Sequence, residues 1–303
     1  MIKSITITNY VGDSIKLEMT RPEKSGFAII GCEGLGPAKA TVNTTTLAMS
    51  DGGLFNSAYL EQRNIVLSLR FIETKTETIE DIRQKSYKYF PMKKKLRFTV
   101  ETDNRRLETE GYVESNEPSI FSDAEGCTIS ILCPDPYFYS PKTSDTVFSG
   151  LAPMFEFPFE NDSTTEPLLE LSIIENRREA VVYNEGDAEI GITVSIYAVG
   201  EASDVTIHNL STKEKMHINT VRLAEMTGNG IITGDQITIE TRPGMKSITL
   251  LRGGEVINIL NCLDKGTTWF RLSKGDNIFA YTAETGSSNL QFCISNKIVY
   301  EGV

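Results

Sequence analysis

Few residues in this chain are suited to chemistry, and none stands in a complete constellation. The only histidines, His208 and His217, lie nine positions apart in a strand-rich region. Zinc would need further His or Cys ligands beside them, and no Cys-x-x-Cys pair occurs. A Ser-His-Asp site would have to use one of these histidines, yet no Gly-x-Ser-x-Gly elbow accompanies either. Gly228-Asn229-Gly230-Ile231-Ile232-Thr233-Gly234 has the wrong spacing for a dinucleotide loop and precedes an alternating stretch, so it reads as a hairpin turn. Glycoside hydrolysis needs two carboxyls roughly 5–10 Å apart. Glu156 and Glu160 flank aromatic residues, and Glu33 and Glu61 are further candidates, but nothing in the pattern singles them out among 41 acids. Trp269, the sole tryptophan, reads as a core or interdomain residue, or as a platform on which a sugar could stack. The expectation is a protein with no enzymatic activity, metal or cofactor.

Charge narrows the partners. The 303 residues carry a net charge of −11. Residues 1–140 hold 17 Lys+Arg against 19 Asp+Glu, and residues 141–303 hold 13 against 22. This lacks the basic footprint of a duplex-binding protein, so no sequence-specific nucleic-acid binding is expected. Lys93-Lys94-Lys95 and Arg105-Arg106 are local basic spots on turns or strand faces. Nowhere do ~18 consecutive apolar residues occur, and Met1 to Ile7 alternates as a strand without a signal-peptide apolar run. Membrane insertion is not expected. Cys32, Cys127, Cys133, Cys262 and Cys293 form an odd set and read as reduced thiols of a chain folded in a cytoplasm.

Strand signals dominate the elements that must position these residues. Ile2 to Asn9, Ser14 to Met19, Asn64 to Ile72, Leu96 to Thr102 and Arg106 to Val113 alternate or are rich in β-branched residues. One substantial helix is expected. Thr78-Ile79-Glu80-Asp81 begins like a capping box with Asp in place of Glu, Ile79, Ile82, Ser86 and Phe90 share a face, and Pro91 stops the run. The glycine-punctuated stretch 31–63 reads either as an extended arm or as two short edge strands joined by turns. Its candidate assembly residues are Gly34, Asp51, Gly52, Gly53, Leu54 and Phe55.

Cys127 to Leu132 alternates and runs into Cys133-Pro134-Asp135-Pro136-Tyr137-Phe138-Tyr139-Ser140. Two prolines around an aspartate end a strand, because each lacks a backbone N–H and biases its predecessor. Pro134, Asp135, Pro136, Tyr137 and Tyr139 therefore mark an interdomain junction, followed by a polar, strand-poor run from Ser140 to Gly150. Beyond it, Met154 to Phe159, Leu168 to Ile174, Ile190 to Ala198, Gln236 to Glu240, Ser247 to Leu251, Asn277 to Ala283 and Asn289 to Ser295 read as strands between Asn-Gly and Gly-Asp turns, the signature of an antiparallel sandwich. The expected domains are 1–140 and 141–303.

A strand entering Cys-Pro-Asp-Pro-Tyr-Phe-Tyr near the middle of an all-β chain of this length resembles the distal tail protein family of long-tailed phages. Further motifs follow in the family's order. They are Asp51-Gly52-Gly53 before the strand at Arg63, the helix with its Tyr89-Phe90-Pro91 stop, and Gly111-Tyr112-Val113. In the second half come Asn184-Glu185-Gly186-Asp187, Gly234-Asp235, Trp269-Phe270-Arg271-Leu272, Gly275-Asp276-Asn277 and Tyr300-Glu301-Gly302-Val303. The resemblance spans essentially the whole chain.

It implies an all-β protein with one helix, whose first domain forms a hexameric ring and whose second is a galectin-like β-sandwich. The ring would sit at the distal end of the virion tail. It would join the tail tube protein to the tail-tip hub and offer a docking platform to receptor-binding or baseplate proteins. The chain has no room for the inserted carbohydrate-binding module of larger members. The competing expectations are a carbohydrate-binding β-sandwich adhesin on the host cell wall, which would want clustered aromatics beyond Trp269, and a tail-associated glycosidase, which would want a carboxylate pair in a cleft.

Overall fold

Alternating apolar residues at the start of the chain form strands that each bury one face. The computed structural model describes residues 1–47, 51–153, 172–176 and 179–303. The expected strand from Met154 to Phe159, the first part of that from Leu168 to Ile174, and the candidate acids Glu156 and Glu160 lie outside the described residues. The chain divides into one unit of Met1–Pro141 with Val299–Val303 and a second of Lys142–Ile298. The last five residues thus join the first unit and not the second, which differs from the expected domain of 141–303.

The first unit contains β1 (Ile2–Thr8), β2 (Ser14–Glu18), β3 (Phe27–Glu33), β4 (Ala40–Thr46), β5 (Gly53–Leu60), β6 (Arg63–Phe71), α1 (Ile79–Tyr89), β7 (Lys95–Thr102), β8 (Arg106–Ser119), β9 (Gly126–Cys133) and the start of β10 (Phe138–Val147). Antiparallel pairing runs β2-β1-β7-β8-β9-β6-β3. Ile5, Ile7, Ile65, Leu67, Phe98, Val100, Ile129 and Ile131 on these strands have no solvent exposure. Helix α1 covers this core as its sequence implies. The Thr78 hydroxyl accepts from the Asp81 N–H at 3.3 Å, and the Asp81 carboxylate accepts from the Thr78 N–H at 2.9 Å, closing the capping box. Ile82, Ser86 and Phe90 are buried, whereas Ile79 is only half-buried. Ile82 packs on Gly26, where a Cβ would come within 2.9 Å of its side chain.

The second unit contains the rest of β10, then β11 (Ser149–Pro153), β12 (Ser172–Asn176), β13 (Glu179–Asn184), β14 (Ile190–Gly191), β15 (Thr193–Ala198), β16 (Val205–Asn209), β17 (Glu214–Ile218), α2 (Thr220–Thr227), β18 (Gln236–Glu240), β19 (Ser247–Arg252), β20 (Glu255–Asn258), β21 (Arg271–Leu272), β22 (Gly275–Thr282) and β23 (Leu290–Tyr300), whose last two residues belong to the first unit. Two sheets, β23-β15-β18-β19-β20 and β13-β22-β16-β17, each bury alternate residues. Tyr281 of β22 stacks on Phe292 of β23 with ring centroids 3.9 Å apart, so the sheets pack face to face.

Two expectations are corrected. Gly228 to Gly234 is not a hairpin turn, because Gly228, at φ 84°, caps the C-terminus of α2 and the following residues lead into β18. The run after Tyr139 is not strand-poor, because β10 continues to Val147 and β11 follows it. Backbone pairing needs no apolar side chains, and β10 beyond Phe138 carries none that is buried.

Candidate assembly site

Between β3 and β6, strands β4 and β5 pair with each other as a β-ribbon. β4 and β5 pair antiparallel from Ala40↔Leu60 to Thr46↔Gly53, with an irregularity after Asn43. Among the described residues, neither strand pairs with any other. Opposed residues in such a ladder point to one face. Ala40, Leu60, Val42, Ala58, Thr44 and Phe55 therefore line one face, and Thr41, Tyr59, Asn43, Ser57, Thr45 and Leu54 the other. Asn43 donates to the Ser57 hydroxyl at 3.1 Å and Asn56 to the Thr45 hydroxyl at 2.7 Å, so polar side chains tie the second face. Val42, Leu54, Phe55 and Tyr59 keep 56, 57, 62 and 58% of their surface in solvent. Asp51 and Gly52 form the bend entering β5, and Gly53, Leu54 and Phe55 open that strand.

The arm is anchored at its root. Arg63, 2% exposed, opens β6 and spends its guanidinium on backbone carbonyls alone. Nε donates to Pro136 O at 2.8 Å, Nη1 to Gly34 O and Gly36 O at 2.5 Å each, and Nη2 to Glu301 O at 2.6 Å. Its guanidinium carbon lies 4.4 Å from the centroid of the buried Phe138 ring. Between the two Arg63 acceptors, Leu35 O receives the Val303 N–H at 3.0 Å. Gly34 sits at φ +81°, and a Cβ there would stand 2.0 Å from Asn64 O, so only glycine fits.

The proline-flanked candidates fall within the first unit, where the Asp135 carboxylate accepts from the Tyr137 N–H at 3.1 Å and the Tyr139 hydroxyl at 2.5 Å. Pro134 to Tyr137 connect β9 to β10, and the change of unit comes at Pro141. Trp269, in the second unit, is half-exposed, and the Lys246 ammonium stands 5.6 Å from its ring centroid. Burial pushes the Cys32 and Cys127 thiols up to about 12 and that of Cys133 to about 11, far from thiolate chemistry at neutral pH.

Both histidines share the outer face of the sandwich's four-stranded sheet, with Thr206 opposite His217 and His208 opposite Lys215. His217 Nδ1 lies 2.6 Å from the Asp264 carboxylate and Nε2 lies 3.7 Å from that of Asp204. Thr206, Lys215, His217, Asp264, Gly266 and Thr267 line a cavity of about 400 Å³ there. No group of three or more metal-ligating side chains occurs among the described residues. Sequence reasoning missed Arg63 as the arm's anchor, since it gave only the strand that Arg63 opens. The signal was a lone arginine beginning an apolar strand just after the glycine-rich stretch.

No family model matches the chain, and no curated protein matches it in sequence. Comparison with solved structures does find relatives in shape. The chain shares its fold with a phage protein of solved structure. The crystal structure of SPP1 Dit (gp 19.1), described as a paradigm of the hub adsorption apparatus in Gram-positive-infecting phages, superposes with a TM-score of 0.64 at 14% identity, covering 98% of this chain and 100% of that one. The activated phage P2 baseplate, with calcium and with strontium, gives TM-scores of 0.47 at 12% identity, covering 98% of each chain.

Proposed function

We propose that this chain is a structural protein of a phage tail tip, built into a ring through its first unit. The observation that carries the reading is the full-length likeness to SPP1 Dit, which takes in both units of the chain. The arm supports it. An isolated two-stranded ribbon is marginal in water, and this one exposes four large apolar side chains across its two faces. Covering them would contribute on the order of 1 kcal/mol each, which a neighbouring copy of the chain would supply. A head-to-tail interface of this kind closes into a ring when its rotation divides a full turn, and six copies is the number the family resemblance implies.

In this reading residues 1–141 join the tail tube to the tail-tip hub, and the second unit is a galectin-like sandwich that docks receptor-binding or baseplate proteins. The role is structural rather than catalytic, with no cofactor. The carbohydrate-binding alternative gains no support from Trp269, because a lysine stands over its ring. Light scattering with negative-stain imaging of the purified protein tests the ring, and labelled virions test its position. Six-fold rings and label at the tail tip are expected. Label confined to the tube shaft or capsid would overturn the reading, as would peptidoglycan turnover abolished by a single Glu→Gln change.

A further inference from the structure

The arm's direction has to be set somewhere other than along its own length. From residue 38 to residue 61, the hydrogen bonds and ion pairs made among the described residues all stay inside the arm. Glu61 N–H donates to Lys39 O at 2.8 Å, Thr41 donates to Glu61, Lys39 reaches Glu61 at 3.8 Å, and the Asn43–Ser57 and Asn56–Thr45 pairs cross the ribbon. Its fixed points are the three successive carbonyls of Gly34, Leu35 and Gly36, two held by Arg63 and the middle one by the Val303 N–H.

We propose that Arg63 and residues 299–303 form a latch that fixes the arm at its root and so sets its readiness to engage a second copy. The proposal deepens the ring reading and rests on it for the word "engage", but the latch itself is a property of the single chain. Three features support it. Arg63 bridges the root to Glu301 O with one guanidinium, so the root and residue 301 cannot move apart without breaking charge-assisted hydrogen bonds in a buried setting. Gly302 approaches the same root so closely that a Cβ would lie 3.2 Å from the Leu35 carbonyl oxygen. Arg105 stands over the Tyr300 ring at 4.4 Å, holding the near end of the segment down.

The direct hydrogen bonds of the latch use no carboxylate, although Asp135 lies near enough to act on the Arg63 charge through space. Every acceptor of Arg63 is a neutral carbonyl, and arginine keeps its charge across ordinary pH.

The test is trypsin cleavage after Lys39, whose side chain is 80% exposed at the base of the ribbon. Arg97, inside β7, serves as an internal reference for opening of the whole unit. Arg63→Met removes the bridge, and Val303→Pro removes the donor to Leu35 while leaving Arg63 in place. Cleavage after Lys39 should quicken about tenfold in Arg63→Met and about threefold in Val303→Pro, with cleavage after Arg97 unchanged in the second variant. An unchanged Lys39 rate in Val303→Pro would overturn the latch, as would an increase matched by Arg97. If Arg63→Met fails to fold, Val303→Pro decides alone. Self-association is measured separately by light scattering. Failure to form rings in the parent protein would sink the ring reading while leaving the protease result to judge the latch.

Discussion

The arm and strand β6 are neighbours in sequence and differ in what covers them. β6 buries Ile65, Leu67 and Leu69 at 0, 0 and 1% exposure between β3 and β9. β5 leaves Leu54, Phe55 and Tyr59 at 57, 62 and 58% exposure, paired with β4 alone. Both carry large apolar side chains on extended backbone. Apolar content therefore does not decide which strand belongs to a core, whereas the presence of sheet neighbours on both sides and a covered face does. In β6 the hydrophobic term stabilises the single chain. In the arm the apolar side chains stay exposed, and the proposed ring would cover them with a neighbouring copy.

That contrast can be broken by mutation. The largest effect is expected from Ile82→Asp on α1, which would bury an unpaired charge against the same core as β6 and cost several kcal/mol, about 3–5. Thermal melting checks it, and an unchanged midpoint would mean that the helix face is not part of the core. Next is Gly34→Ala, where the new methyl meets Asn64 O and the backbone has a positive φ, for about 2–3 kcal/mol and a loosened arm root. Urea unfolding would show it as a shifted midpoint at constant slope. Thr78→Ala, which removes the cap of α1, should cost about 1 kcal/mol by the same measurement.

The smallest effect on stability sharpens the comparison most. Phe55→Ser should move unfolding by less than about 0.5 kcal/mol, because the side chain is exposed in the single chain. It should nevertheless weaken self-association at least tenfold in light-scattering dilution series. A large loss of thermal stability instead would place Phe55 in a covered position.

What the sequence revealed follows the same division. Gln236 to Glu240 is β18 residue for residue, because its alternation matches one buried and one exposed face. The helix start was readable at Thr78 and Asp81, since capping is local chemistry. Helix α2 escaped notice because eight residues give little periodicity, although Asn219 before it and Gly228 after it are recognisable caps. β10 escaped because its paired backbone carries polar side chains. The arm stayed ambiguous between two readings because a ribbon with no core beneath it lacks the in/out pattern that marks a packed strand. The convergence of Arg63 with residues 34–36, 136 and 301 joins segments up to 238 positions apart, and no local signal encodes it.

The ribbon's open sides carry one more consequence. A two-stranded ribbon has two edges whose N–H and C=O groups lack strand partners, and such edges template pairing with any chain that meets them. Under the proposed tail-tip role, a cell making this protein before a tail exists would hold many such edges at once. Thr44-Thr45-Thr46 and Asn43 on β4 and the offset at Asn56 on β5 make those edges polar and irregular, which disfavours stacking into continuous sheets. In the proposed role the arm would have to stay soluble until a tail is built, and its polar, irregular edges suit that requirement.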